Sequence, residues 1–210
     1  MKKLKKFFRK IFCCCYDQEV RQYITKNEII TILRECGYKI QDTNFLEAIA
    51  GEFNLKINNK NEFAMLLAHV IHETGGFKYR EEIIGLKDTL KAKKMYKGSC
   101  GLPHKSYHGR GLLMLSYPEN YKKASLYLGL GDELLLHPER VAYNEEYCIK
   151  TALWYWTQVV RKKVDINNCQ FDDTSRIINP IEFDNIIGNQ QADHRRKIYQ
   201  IAYRVLSNYS

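Results

Sequence analysis

The stretch from Asn61 to Gly76 constrains this chain most. Phe63, Leu66, Leu67, Val70 and Ile71 recur at helical spacing, Asn61 stands where a cap is needed, and the run ends His72-Glu73-Thr74-Gly75-Gly76. A glycine inside a helix costs roughly 1 kcal/mol relative to alanine, so two in succession end it. Glu73 is therefore held in the last turn of a buried helix and projected at its broken end. The negative end of the helix dipole disfavours an anion there, which predicts a carboxyl group that keeps its proton near neutral pH.

Other segments read as further helices around this one. Thr25-Lys26-Asn27-Glu28 has the capping-box arrangement, and the helix it opens runs to about Cys36 before Gly37. A short helix is predicted from Asn44 to about Phe53. A loop rich in Lys and Gly leads to Tyr107-His108-Gly109-Arg110-Gly111. Further helices are expected from Glu119 to about Leu128, from Glu145 to about Val160, and from about Gln191 to Ser207. Of Trp154, Tyr155 and Trp156, helical spacing places two in the core and leaves one for a surface that stacks on a ligand.

The formal charge of +9 invites a nucleic-acid reading until it is located. Six of the 33 basic residues lie in the first ten positions, and the remaining 200 residues carry 27 basic against 24 acidic groups. That is an ordinary solvated surface, and nucleic acid is not an expected partner. Seven cysteines are present; no Cys/His cluster has zinc spacing, so neither a metal nor any other cofactor is expected. Cys36, Cys100, Cys148 and Cys169 are open to two disulfides or four free thiols. His69 and His72 share a helix turn among apolar residues, which favours packing and hydrogen bonding over a metal. Gly109-Arg110-Gly111 lacks the Lys-Ser/Thr that a phosphate-cradling loop carries.

Three separated stretches resemble one family. His72-Glu73-Thr74-Gly75-Gly76-Phe77 is similar to the signature of glycoside hydrolase family 19. Tyr107-His108-Gly109-Arg110-Gly111-Leu112-Leu113-Met114-Leu115-Ser116, with Asn120-Tyr121 after it, resembles that family's Tyr-Tyr-Gly-Arg-Gly-Pro-Ile-Gln-Leu-Ser segment. Arg176-Ile177-Ile178-Asn179 resembles its Ile-Ile-Asn motif, and Asp193 with Arg195 resembles the acid–arginine pair of its last helix. The order and spacing hold over about 130 residues.

The resemblance implies a mainly α, lysozyme-like, two-lobed helical domain with a central substrate cleft. It also implies hydrolysis of a β-1,4-linked N-acetylglucosamine polymer with inversion, using two carboxyl groups. Glu73 would be the general acid. Glu82, nine residues on, would be the base, although Glu81 is adjacent and a one-residue shift would exchange them. An inverting pair sits about 6.5–9.5 Å apart to admit water, and a break at Gly75-Gly76 lets the second carboxylate fold across a cleft. Ser116 matches the position that holds the attacking water. His72, Tyr107, Asn120 and Asn179 match substrate-binding positions, and Arg195 matches one that keeps the acidic pair, Glu82 included, in its working charge state. Met114 stands where the family has Gln, His108 where it has a second Tyr, and Pro180 where Gly is usual. Chitin is the first substrate expected. Peptidoglycan cleavage is the alternative, and an inactive, membrane-attached sugar-binding protein is the non-enzymatic one.

Residues 1–20 read as a tail separate from a catalytic domain at 21–210. Leu4, Phe7, Phe8, Ile11 and Phe12 fall on one helical face amid six basic residues, and Cys13-Cys14-Cys15 follows. That pattern predicts interfacial membrane association through residues 1–15, with the three thiols as acylation candidates. Secretion through a signal peptide is the alternative, against which Arg9 and Lys10 interrupt the apolar run.

Overall fold

Asn59, rather than Asn61, starts the central helix: its Oδ1 accepts from the Glu62 N–H at 2.7 Å. Asn61 instead accepts from the Tyr199 hydroxyl at 2.7 Å, so its polar group is spent on the helix packed alongside. The computed structural model describes residues 23–57, 59–184 and 186–208. Its helices are α1 Lys26–Glu35, α2 Thr43–Asn54, α3 Lys60–Thr74, α4 Ile83–Lys87, α5 Thr89–Met95, α6 Pro118–Tyr127, α7 Glu133–Leu136, α8 Arg140–Tyr143, α9 Glu145–Tyr155, α10 Phe171–Ile178 and α11 Ile186–Asn208. Among the described residues, strand pairing is limited to the isolated bridges Glu81–Arg110 and Arg110–Leu115. The expectation of a mainly helical fold holds.

The capping box at α1 forms as the sequence predicts, Glu28 Oε2 accepting from the Thr25 N–H at 2.6 Å and Thr25 Oγ1 from the Glu28 N–H at 3.4 Å. From Phe63 to Ile71 every residue of α3 is buried, and α11 packs along it. The buried apolar side chains divide into two clusters. The larger gathers α1, α2, α3, α9 and α11; the smaller holds Tyr107, Leu115, Tyr121, Leu134, Val141 and Trp154. Tyr155 touches both, and the cleft lies between the two lobes at that seam.

Three boundaries differ from the sequence reading. The segment read as a Lys/Gly loop contains α4 and α5, the second capped by Asp88 Oδ1 on the Lys91 N–H at 2.9 Å. The helix after Glu145 widens into a π-turn over Trp156–Val160. At that turn Trp156 Nε1 donates to the buried Glu62 at 2.6 Å, and Arg161 Nε donates to the same oxygen at 2.5 Å. The last helix begins at Ile186, one turn before Gln191.

Cys36, Cys100, Cys148 and Cys169 are free thiols. Burial pushes Cys148 up to about 12 and Cys36 to about 11, so neither is a ready nucleophile. No helix of the described residues is long and apolar enough to cross a membrane. The tail with Cys13, Cys14 and Cys15 lies outside the described residues.

Candidate active site

The glycines after Glu73 are required by geometry. Gly75 caps α3 in the left-handed region at φ 57°, and Gly76 follows at φ 72°. A Cβ on Gly76 would fall 2.5 Å from the Tyr38 ring, so a larger residue is excluded by space as well as by backbone. Phe77 continues with a positive φ of 66°. This left-handed run reverses the chain: the Glu82 N–H donates to the Gly109 carbonyl at 2.9 Å, and the Gly111 N–H to the Arg80 carbonyl at 2.9 Å. Glu73 and Glu82 consequently face the same cleft, of about 680 Å³, from different elements.

Glu81 and Glu82 are neighbours in sequence with different surroundings. Glu81 accepts from His108 Nε2 at 2.7 Å, Arg110 Nε at 2.8 Å and the Tyr143 hydroxyl at 3.2 Å. Burial works against its charge, but the His108 hydrogen bond and the Arg110 guanidinium outweigh that and hold its pKa at about 2. Glu82 has two neutral donors: the Tyr96 hydroxyl reaches Oε1 at 2.9 Å and the Gly109 N–H reaches Oε2 at 3.3 Å. Glu81 is thus bound into a structural network, whereas Glu82 is oriented and left without a cation in direct contact. Both line the cleft, and of the two it is Glu82 whose carboxylate has no cation bonded to it among the described residues.

A stability prediction follows from Glu81. A carboxylate whose folded pKa is depressed stabilises the fold fully above its ordinary value of 4.5 and loses that contribution as pH falls towards about 2. Urea midpoints should therefore fall across that window, and Glu81→Gln should flatten the fall while lowering stability at neutral pH. An unchanged slope would show that the network does not hold the anion.

Arg195 is fully buried and organises the other side of the cleft. It donates through Nη2 to Glu73 at 2.8 Å and through Nε to Glu182 at 3.1 Å, with a second, shorter bond to Glu182. Its Nη1 lies 3.1 Å from His69 Nδ1. Arginine only donates, so His69 Nδ1 accepts and its Nε2–H points at Thr174 Oγ1, 2.8 Å away. Two expectations are corrected here. Arg195 binds Glu73 and Glu182, so it supports the first carboxyl group instead of Glu82. Asp193, paired in the sequence reading with Arg195, bonds Arg196 on the exposed side of α11. The charge surroundings of Glu73 are likewise set by this arginine, which the helix-end argument did not include.

The remaining predicted site residues divide. Ser116, Asn120, Asn179 and Tyr155 line the cleft with the two acids. Ser116 Oγ donates to the Met114 carbonyl at 2.8 Å, between Met114 at φ 47° and Tyr117 at φ 70°. Asn120 Nδ2 donates to the Ser116 carbonyl at 2.9 Å, and Asn179 Nδ2 to Glu182 Oε1 at 3.0 Å. Tyr107 does not reach the cleft. It is buried in the smaller lobe, its hydroxyl donating to the Leu135 carbonyl at 2.8 Å. His72 is also turned away, its Nδ1 3.1 Å from His194 Nδ1 and its Nε2 3.7 Å from Glu182. Burial, then Arg195 and His194, lower its pKa to about 3, so it stays neutral in the working range. The substrate-binding role expected for Tyr107 and His72 gives way to a supporting one, because their polar atoms are already bonded within the protein. Trp154 and Trp156 are core and Tyr155 alone of the three faces the cleft; the spacing predicted two in the core without saying which.

Two residues bonded to this carboxylate and arginine framework are not marked by the sequence. Glu182 sits in a short 3-10 turn, Pro180–Phe183, with no periodic pattern to mark it. Tyr96 ends α5, fourteen positions after Glu82, and only the fold brings its hydroxyl to that carboxylate.

The chitinase class I family model of glycoside hydrolase family 19 matches residues 48–171. An Arabidopsis thaliana protein named Endochitinase EP3 is 37% identical over 140 residues, covering 64% of this chain and 49% of that protein. Endochitinase CHI of the same plant is 33% identical over 182 residues, covering 83% of this chain and 63% of its own length. The crystal structure of chitinase C from Streptomyces griseus HUT6037 superposes with a TM-score of 0.67 at 26% identity, covering 89% of this chain and 93% of that one. The chain spans about half the length of the first curated relatives it matches.

Proposed function

Because the chain belongs to glycoside hydrolase family 19, the class I chitinases, we propose that it is an endo-acting chitinase that cleaves β-1,4-linked N-acetylglucosamine polymers with inversion. The observation that carries this reading is the pair of differently held carboxyl groups, Glu73 and Glu82, facing one cleft. Glu73 delivers its proton to the glycosidic oxygen, which leaves as a hydroxyl. Glu82 takes a proton from a water molecule on the other face of the sugar, and that water's oxygen forms the new bond to the anomeric carbon. Tyr96 and the Gly109 N–H fix the rotation of Glu82, and in this reading Ser116, which lines the same cleft, shares in holding the water. Asn120, Asn179 and Tyr155 line the same cleft, and in this reading they meet the sugar amide, hydroxyls and ring face.

The test is a chitin oligosaccharide incubated with the full chain and followed by NMR within minutes. The α-anomer should appear first, and a β-anomer first would remove Glu82 as base. Peptidoglycan has the same linkage, so loss of turbidity in a cell-wall suspension without release of chitooligosaccharides would reassign the substrate.

A smaller prediction concerns Tyr96. Tyr96→Phe keeps the ring and its edge contact with Tyr117, at 5.3 Å between centroids, and removes only the donor to Glu82. A charge-assisted hydrogen bond lost from the base should raise the acid limb of the pH–rate profile and lower kcat by about tenfold. A profile identical to wild type would show that Tyr96 does not tune the base.

A further inference from the structure

One lip of the cleft is built inside out. Helices α4 and α5 bury only Gly85 and Ala92. A Cβ on Gly85 would fall 2.0 Å from His108 Nε2, so no larger side chain fits the inward position. Four of the five long aliphatic residues of this segment point outward instead, Ile83 46% exposed, Leu86 60%, Met95 52% and Leu90 74%, while Ile84 is half-buried on the cleft. Surface helices ordinarily do the opposite, and contiguous exposed aliphatics mark an interaction surface.

Charge selects the partner. Lys87, Lys91, Lys93, Lys94 and Lys97 are interleaved with these aliphatics, and none has an ion-pair partner among the described residues. Two acidic groups lie nearby, Asp88, which caps α5 through the Lys91 N–H, and Glu119, which accepts from the Ser99 N–H and hydroxyl. Neither is ion-paired with these lysines, and the five lysines outnumber them. Glu81 and Glu82 lie inside, bonded as described above. A protein partner would need an acidic and apolar face of matching shape. A soluble polyanion would use the lysines and leave the aliphatics in water. An anionic bilayer satisfies both at once, with aliphatic side chains among the acyl chains and ammonium groups at the phosphates.

We propose that the α4–α5 lip is a docking surface for anionic lipid. Ile83 and Tyr96 line the cleft from this same lip, so docking would hold the cleft mouth beside the membrane. The proposed surface belongs to residues 83–97, a different segment of the chain from the tail at residues 1–15.

The experiment is co-sedimentation of the full chain with phosphatidylcholine vesicles, with and without phosphatidylserine. Wild-type protein should bind only the phosphatidylserine vesicles, and less at high salt. The double variant Leu86→Ser/Leu90→Ser and the triple variant Lys87→Glu/Lys91→Glu/Lys94→Glu should each weaken binding by tenfold or more, since one lysine near an anionic surface is worth about fivefold. Neither set touches a catalytic group, so cleavage of a soluble chitin oligosaccharide, or the circular dichroism spectrum if no cleavage occurs, reports that the fold is retained. Absence of wild-type binding overturns the proposal. So does binding that survives both variants, which would place it in the tail. So does loss with the lysine variant alone, which would make the lip a site for soluble polyanions.

Discussion

Glu73→Gln should keep the fold and lose turnover by about 10²–10⁴, the ordinary contribution of a positioned general acid. The substitution is nearly isosteric. Its amide oxygen still accepts from Arg195 Nη2, now 2.8 Å from Glu73 Oε1, and the glycine cap behind it is undisturbed. Arg195 keeps its bonds to Glu182. What disappears is the proton for the glycosidic oxygen, so the leaving group would have to depart as an alkoxide. The measurement is kcat on a soluble chitin oligosaccharide beside a thermal melt. Glu81→Gln is the control: it removes a carboxylate of the same wall whose partners are His108, Arg110 and Tyr143, and it should cost stability more than rate. If Glu73→Gln retains more than a tenth of wild-type kcat, the acid lies elsewhere.

How much of this site is readable before the fold is known depends on the range of the forces involved. The break after Glu73 is local. Two glycines in left-handed conformation follow from residue type, and the long apolar face before them makes α3 a core helix whatever surrounds it. That two of Trp154, Tyr155 and Trp156 are core also follows from helical spacing, but only the fold shows that Tyr155 is the one on the cleft. Tyr107 illustrates the limit. Its motif resembles that of a sugar-binding stretch, yet the phenol is satisfied by a carbonyl from Leu135, and nothing in the local sequence announces that partner. Arg195 and Asp193 fail for a similar reason. Two residues apart on α11, they point about 200° apart around the helix axis, so a pairing that looks natural in the sequence is geometrically disfavoured. Arg195 instead bonds Glu73 and Glu182, the second of them in a turn without periodicity. The α4–α5 segment was read as a loop because its polar and small residues mimic one, and its outward aliphatics break the usual pattern on which helix reading relies.

The second large effect is expected at Arg195. Its guanidinium is wholly buried, yet Glu73 and Glu182 more than offset that burial and raise its pKa above the ordinary arginine value. Arg195→Met matches the length of the side chain and removes every donor. Glu182, itself buried, then keeps, among the bonds seen between described residues, the Asn179 amide at 3.0 Å and the more distant His72 Nε2 at 3.7 Å. Stripping one partner from a buried ion pair costs about 3–5 kcal/mol, because the other charge is left without compensation. The urea midpoint should fall accordingly. Arg195→Lys separates charge from geometry. One ammonium can approach Glu182 but cannot also span to Glu73 and His69, since the planar fork that reaches all three is gone. It should recover most of the stability while leaving kcat low, because Glu73 loses the donor that fixes its rotamer. Removing both charges together, as Arg195→Met with Glu182→Gln, should be less destabilising than Arg195→Met alone. If the double variant is instead as unstable as the sum of the singles, the two side chains are not coupled, and the arginine stabilises this wall of the cleft by packing rather than by charge.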